Sequence, residues 1–433
     1  MKTITNSAIK IMIMALIIFI STSATSNTIL NEKDGKEIKG DNLSYNTYHG
    51  KLLDKKTKEP LVFAAIEVEG ENTATISNSE GEFTLKISKK SKAKNIIVSH
   101  IGYNNLIYPI NELAHKKNIL FLKEAIISLN EVLITPEYPE MIVRKMLNNI
   151  KNNYPQMPNN MTAFYRENIK KGRSHVSLSE AIVNIYKPPY KGFIKDQIHI
   201  KKGRKGVNVR KMDTLLFKLQ GGPKTTLLLD VIKNQNILIS SETINNYTFE
   251  ITNEIKIDNR LNYIIEFNQK NVSKNPQYYG RLFVDTETLA LTAADFSLNL
   301  DNPKKASDLF VRKIPLGVKV TPVIAKYSVR YKEQNGKWYF SYAKGEVKFK
   351  VKWKRKLLAN HYTTTSEIAI TDRNDNNVVK FKARDRFKSS DIFSESVNAF
   401  YNKDYWGEYN YIEPDQSIEI AIRKFNKLLK SNK

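Results

Sequence analysis

The sequence predicts a mainly β protein of two domains, a small antiparallel sandwich followed by a large curved antiparallel sheet with helices packed on it. Three observations lead there. Between residues 46 and 104 apolar side chains recur at every second position, as in Ala64-x-Ile66-x-Val68, and Gly, Pro and Asn interrupt the runs. That is the spacing of half-buried strands joined by turns. From Thr248 to Phe387 strand-like runs return at regular intervals, with Asn335-Gly336 between Tyr327–Tyr331 and Trp338–Tyr342 as a hairpin turn. The clearest helical stripes are Ile142, Val143, Met146, Leu147 and Ile150, then Ile418, Ile422, Phe425 and Leu429.

The elements follow in chain order. Lys2 and Lys10 precede an apolar run from Ile11 to Ile20, and Thr22 and Ala24 suit cleavage after Ala24. Residues 1–24 therefore read as a signal peptide, too short to span a bilayer comfortably. Residues 25–45 are polar and aperiodic, a linker. Residues 46–135 form the sandwich, with turns at Lys55–Lys58 and Ser77–Gly81. Ile126–Ile134 reads as a bridging strand, and Thr135-Pro136-Glu137 as a helix start. Residues 136–433 form the second domain. Ala163–Ile169 and Val176–Tyr186 are strands there, and Asp213–Lys233 reads as two short helices broken at Gly221-Gly222-Pro223. Val347, Phe349, Val351 and Trp353 alternate with lysines, giving one apolar and one wet face. A last helix follows Pro414-Asp415.

Composition narrows the function classes. The 433 residues contain no cysteine. That removes disulfides, thiolate metal sites, a cysteine nucleophile and a lipid-bearing cysteine. Lys and Arg number 69 against 44 acids, a net +25, and +23 once Lys2 and Lys10 leave with the leader. Such charge attracts anions. Lys far outnumbers Arg, which favours a solvated surface over a built phosphate site, and export disfavours nucleic acid.

Gly50, Asp54, Pro60, Leu61, Ala64, Val68, Gly81, Phe83, Ser99, Gly102 and Tyr103 resemble the carboxypeptidase regulatory-like domain of exported Bacteroidota proteins. That resemblance implies a prealbumin-like sandwich and a place in the cell envelope. Ser77-Asn78 stands where the domain usually has Thr-Asp, one carboxylate fewer. Phe164-Tyr165-Arg166-Glu167, Ser179-Glu180-Ala181, Lys218–Pro223 and Trp406–Asn410 resemble the body of uncharacterised proteins carrying that domain. Gly280–Asp285 followed by Leu289-Ala290-Leu291 is similar to a hairpin of LolA-like half-barrels.

No polar constellation points to catalysis. None of the six histidines has an acid three residues later, and His-Glu-x-x-His is absent, so both common zinc-protease spacings fail. Gly221–Thr226 mimics a phosphate loop but lacks its first glycine and has proline in the cradle. Gly172-Arg173-Ser174-His175 has the wrong spacing for a nucleophile elbow and suits a hairpin. Acids are too plentiful to single out a glycosidase pair. Two clusters suit binding. Lys201, Lys202, Arg204, Lys205, Arg210 and Lys211 could meet anions, though a wet hairpin fits better. Phe400, Tyr401, Tyr405, Trp406, Tyr409 and Tyr411 could stack on sugars, though core packing fits better.

The expectation is an exported, non-catalytic binding or scaffolding protein of the periplasm or outer membrane, with no cofactor or metal. Its curved sheet would expose an apolar face, partly covered by helices, to a lipid, an acyl chain or a partner's peptide. The alternatives are a glycan- or peptidoglycan-binding surface protein, using Tyr405, Trp406 and Tyr409, and a hydrolase with an unrecognised carboxylate pair.

Overall fold

A computed structural model describes residues 17–21, 44–115, 117–125, 138–192, 194–207, 216–270, 276–313, 316–399 and 405–431. Most of the leader and linker, the bridging strand, Thr135–Glu137, Arg210, Lys211, Phe400 and Tyr401 lie outside them. Of the apolar amino-terminal run, β1 (Ile17–Ser21) is described.

The sandwich contains β2 (Tyr45–Asp54), β3 (Ala65–Val68), β4 (Ala74–Ile76), β5 (Glu82–Ser88), β6 (Asn95–Ser99), β7 (Leu106–Pro109) and β8 (Asn118–Leu122). They form two sheets, β5-β2-β8 and β4-β3-β6-β7. All pairs are antiparallel except β2 with β8. The alternation seen in the sequence fills the space between the sheets with Leu52, Ile66, Val68, Phe83, Leu85, Ile96 and Val98. Both expected turns form. The Asp54 carboxylate accepts the Lys56 and Thr57 N–H groups, and Gly81 sits at φ +77°, where an added Cβ would lie 2.6 Å from the Leu52 carbonyl. Only glycine fits that approach.

The first helical stripe becomes α1 (Pro139–Asn148) and α2 (Ile150–Asn153), and all five expected apolar positions are buried. Helix starts with Pro139 in the first turn, later than expected, and Tyr138 offers no capping side chain.

The large sheet begins with β9 (Asn159–Lys171), β10 (Ser174–Lys187) and β11 (Gln197–Val207). The expected pair of helices near residue 220 is corrected. Leu216–Gln220 is a strand, β12, and only Gly222–Leu227 is helical, α3. Gly221 at φ +80° and Pro223 in the first turn make a strand-to-helix corner. The chain continues through β13 (Tyr247–Ile257), β14 (Arg260–Gln269), β15 (Tyr278–Asp285), β16 (Leu291–Leu298), α4 (Pro303–Phe310) and β17 (Val311–Lys313). It ends with β18 (Val318–Gln334), β19 (Lys337–Trp353), β20 (Asn360–Asn374), β21 (Asn398–Ala399) and α5 (Gln416–Ser431). β1 lies between β12 and β17 in a separate sheet. The other eleven strands form one sheet, ordered β13-β14-β15-β16-β18-β19-β20-β9-β10-β11-β21. It is curved, open, and antiparallel except for β11 with β21.

Its inner face carries Tyr165, Ala181, Val329, Val347 and Ile368. That face was expected to be partly open. Instead α1, α3 and the segments holding Ile237, Ile244, Phe387 and Phe393 pack against it, and those five side chains are at most 1 % exposed. Its outer face carries Phe164, Ile182, Tyr342 and Ala369, which meet Ile76 of the sandwich and Trp406 and Ile412 of the carboxy-terminal segment. α5 sets Ile418, Ala421 and Phe425 against Leu178 on the same face.

Candidate functional site

Each strand contributes residues to both faces, and two rows of polar side chains cross the sheet back to back. The outer row runs strand by strand through Glu266, Arg281, Asp295, Ser328, Lys344, Glu367, Arg166, Glu180 and Arg204. Its centre is buried and closed. Glu180 accepts Arg166 Nε at 2.7 Å and Arg204 Nη2 at 2.8 Å. Burial alone would raise the Glu180 carboxyl; Arg204 and Arg166 outweigh it and hold the group below its ordinary range. Arg166 also donates to the Ile412 carbonyl at 2.8 Å and pairs with Glu367 at 3.4 Å.

This face clamps the sandwich. Lys332 Nζ bridges Asp258 at 2.7 Å and Glu67 of the sandwich at 3.1 Å. Asn410 exchanges hydrogen bonds with the Lys86 backbone, Thr75 donates to the Tyr411 carbonyl, and Ser79 donates to Asp415. Two small cavities remain at this seam. One of about 140 Å³ is lined by Phe63, Glu67, His100, Arg330 and Tyr342. The other, about 180 Å³, touches Arg166, Lys170, Lys344, Glu346, Glu367 and Asp415. Both are smaller than a drug-sized ligand needs.

His175 borders the second region. Its Nδ1 lies 2.8 Å from Asn168 Oδ1, and its Nε2 lies 3.0 Å from Ser417 Oγ. The line resembles a nucleophile, base and orienting group. Two facts oppose that chemistry. Burial, together with Lys170, pulls the His175 imidazole down to about 4, far from the range that suits a general base at neutral pH. Ser417 also lies 2.7 Å from Asp415 Oδ1, an atom that caps α5 by accepting the Ile418 N–H. The group is a helix cap.

The two sequence-picked clusters meet each other. Lys202 Nζ lies 4.6 Å from the Tyr405 ring centre, and the Arg204 guanidinium lies 4.7 Å from that of Trp406. Lys205 donates to the Ser394 carbonyl, and Lys201 is exposed. Trp406 is corrected as a sugar platform: it is 3 % exposed and packs edge-on against Phe164 and Tyr405. Tyr405 and Tyr409 are half-buried around it. Arg204 is likewise no open anion contact, because Glu180 holds it.

The inner row has a different character. It runs through Tyr327, Gly345, Ser366, Glu167 and Ser179. Glu167 is buried with no countercharge among the described residues. Burial pushes its carboxyl up to about 8, and its one described partner is the Tyr165 hydroxyl, donating at 3.0 Å. On either side Ser366 Oγ and Ser179 Oγ are buried without a hydrogen-bond partner among the described residues, as is the Tyr327 hydroxyl. Gly345 leaves one step of the row without a side chain, and the Tyr327 ring lies over it. Apolar walls with a few convergent polar groups are the usual makeup of a small-molecule site. A second inner cluster has its charges paired. Lys187 joins Asp196 and Asp230, and Asp230 also accepts the Tyr190 and Tyr331 hydroxyls. Among the described residues no three of His, Cys, Asp and Glu come together as metal ligands.

Comparison with known proteins names only part of the chain. Residues 48–134 match the family profile of the CarboxypepD_reg-like domain. That stretch is the sandwich and the segment after it. No curated protein matches the chain. Among solved structures, a LolA superfamily protein from Nitrosomonas europaea aligns at 11 % identity and TM-score 0.23, over 58 % of this chain and 98 % of its own. A DUF1329 family protein from Desulfovibrio piger aligns at 12 % and 0.25, over 56 % and 96 %. A Vibrio parahaemolyticus domain described as an outer membrane lipoprotein-sorting protein aligns at 9 % and 0.25, over 56 % and 94 %. Overlaps this loose do not bear on what the chain binds.

Proposed function

We propose that the chain is an exported, non-catalytic binding protein of the cell envelope, holding an acyl-chain lipid between the inner face of the large sheet and the short elements over it. One observation carries this reading: the inner row. Buried hydroxyls normally find partners, yet among the described residues Ser179, Ser366 and Tyr327 have none, and they flank a carboxyl that burial keeps protonated near neutral pH. A lipid headgroup with donors and acceptors would satisfy them, and the apolar wall around Val329, Val347 and Ile368 would take the chain. The cover supports access. It is made of short pieces such as α2 and α3, with four and six residues, the kind of element that opens at low cost. The sandwich, ionically clamped to the opposite face, serves as scaffold and interaction module. The leader pattern supports export.

Native mass spectrometry of the full chain, extracted gently from its own envelope, tests this. A lipid mass retained by the wild type and lost in Ser179→Val/Ser366→Val is the expected result. A bare mass, or a bound peptide, counts against the lipid reading. Turnover of any ester, peptide or glycoside by the wild type and not by Ser417→Ala would overturn the non-catalytic part.

A further inference from the structure

We propose that one end of the large sheet is a docking tip for an anionic lipid bilayer. Three turns come together there. The Lys354 N–H donates to the Gly317 carbonyl at 2.7 Å, and the Gly172 N–H donates to the His361 carbonyl at 2.9 Å. Val318 faces Trp353, and Lys171 faces Tyr362. The turn at 172–173, the turn at 316–317 and the β19–β20 connection therefore sit side by side.

Two properties coincide at this end. The first is apolar exposure. Leu316, Leu357 and Leu358 are 102 %, 98 % and 84 % exposed, the three most exposed large apolar side chains among the described residues. A lone exposed leucine is ordinary. Three on adjoining turns, standing proud of the sheet, present the apolar area that inserts below a headgroup layer.

The second is charge. Between Glu167 and Glu180 and between Glu346 and Glu367, the stretches that turn at this end, the sequence holds nine Lys and Arg and no acid. Among the described residues Lys319, Lys350, Lys352, Lys354 and Arg355 make no ion pair, and all five are exposed. The contrast with the outer face at the seam is direct, because there Arg166, Arg204 and Lys332 each have a carboxylate. Cations this dense repel one another, so the tip favours a surface of spread negative charge. Charge complementarity selects the partner: a second copy would bring like charge, whereas an anionic bilayer supplies both phosphates and hydrocarbon. Trp353, half-buried behind Lys356, sits where an interfacial indole would report contact.

The inference does not rest on a ligand at the inner face, and its test separates the two. The full chain is floated with vesicles of phosphatidylcholine alone and of phosphatidylcholine mixed with phosphatidylglycerol, at low and high salt. The wild type should float only with the mixed vesicles and should release as salt rises. Leu316→Ser/Leu357→Ser/Leu358→Ser should bind at least about tenfold more weakly with an unchanged melting temperature. Lys352→Glu/Lys354→Glu should lose at least about tenfold as well, through charge. Trp353 emission should shift to the blue on mixed vesicles. A wild type that ignores them, equal binding to neutral vesicles, or a leucine variant that floats normally would each overturn the tip. None of these outcomes alters the lipid mass expected by native mass spectrometry.

Discussion

The two faces of the large sheet use polar residues in opposite ways. Arg166 and Glu167 are neighbours in the chain and point to opposite sides. Arg166 reaches Glu180, Glu367 and the Ile412 carbonyl, while Glu167 has the Tyr165 hydroxyl and, among the described residues, no cation. On the outer face every step of the buried centre is answered, and the result binds the sandwich to the sheet. In the inner row Ser179, Ser366 and Tyr327 are spaced as regularly, yet their hydroxyls have no partner among the described residues. The lesson is that a buried charge is evidence of function only after its partners have been counted. A closed network explains itself as structure; an open one asks for a further molecule.

The contrast breaks first at Glu180. Glu180→Ala leaves two guanidinium groups facing one another in a buried site, and urea unfolding should show a loss of about 3–5 kcal/mol. Next comes the seam. Lys332→Ala strands Asp258 and Glu67, and should cost about 2–3 kcal/mol while making the sandwich more sensitive to limited proteolysis. A smaller and more specific effect is the pH dependence from Glu167. Its folded carboxyl titrates near 8 against an ordinary 4.5, so the folded state binds the extra proton between those values. Stability from this group should fall as pH rises through that window, and Glu167→Gln should flatten the curve. His100 and His175 act on the acid side. Burial pulls both down to about 4, so stability should drop as pH falls from about 6.5 to 4. The smallest effect belongs to Ser417→Ala, which trims a helix cap and should shift stability by less than about 1 kcal/mol.

Much of this architecture was legible in the sequence because alternation reports burial directly. The Val347–Trp353 strand, the Asn335-Gly336 hairpin and the α5 helix all formed as read. The stretch before Gly221 misled because Leu216–Gln220 offers only three apolar residues, too few to separate a strand period from a helical one. Function was harder to see. Trp406 and Arg204 drew notice separately, and their mutual contact, which removes both from the surface, depends on register across distant strands. Arg166, Glu167 and Glu180 carried a usable signal, charges inside otherwise apolar alternation, but period alone could not say which of them would find a partner. The leucine tip hid because three turns far apart in the chain meet at one end.

The central claim is that the inner row contacts a ligand while the outer row holds the molecule together. The most direct measurement is a high-resolution crystal structure of the full chain purified gently from its own envelope. The account predicts density for a polar group within about 2.6–3.2 Å of Glu167, Ser179 or Ser366, with an apolar tail along the inner face and the Arg166–Glu180–Arg204 pairs unchanged. A closed inner face, with those hydroxyls bonded to the protein itself or to water alone, would contradict it.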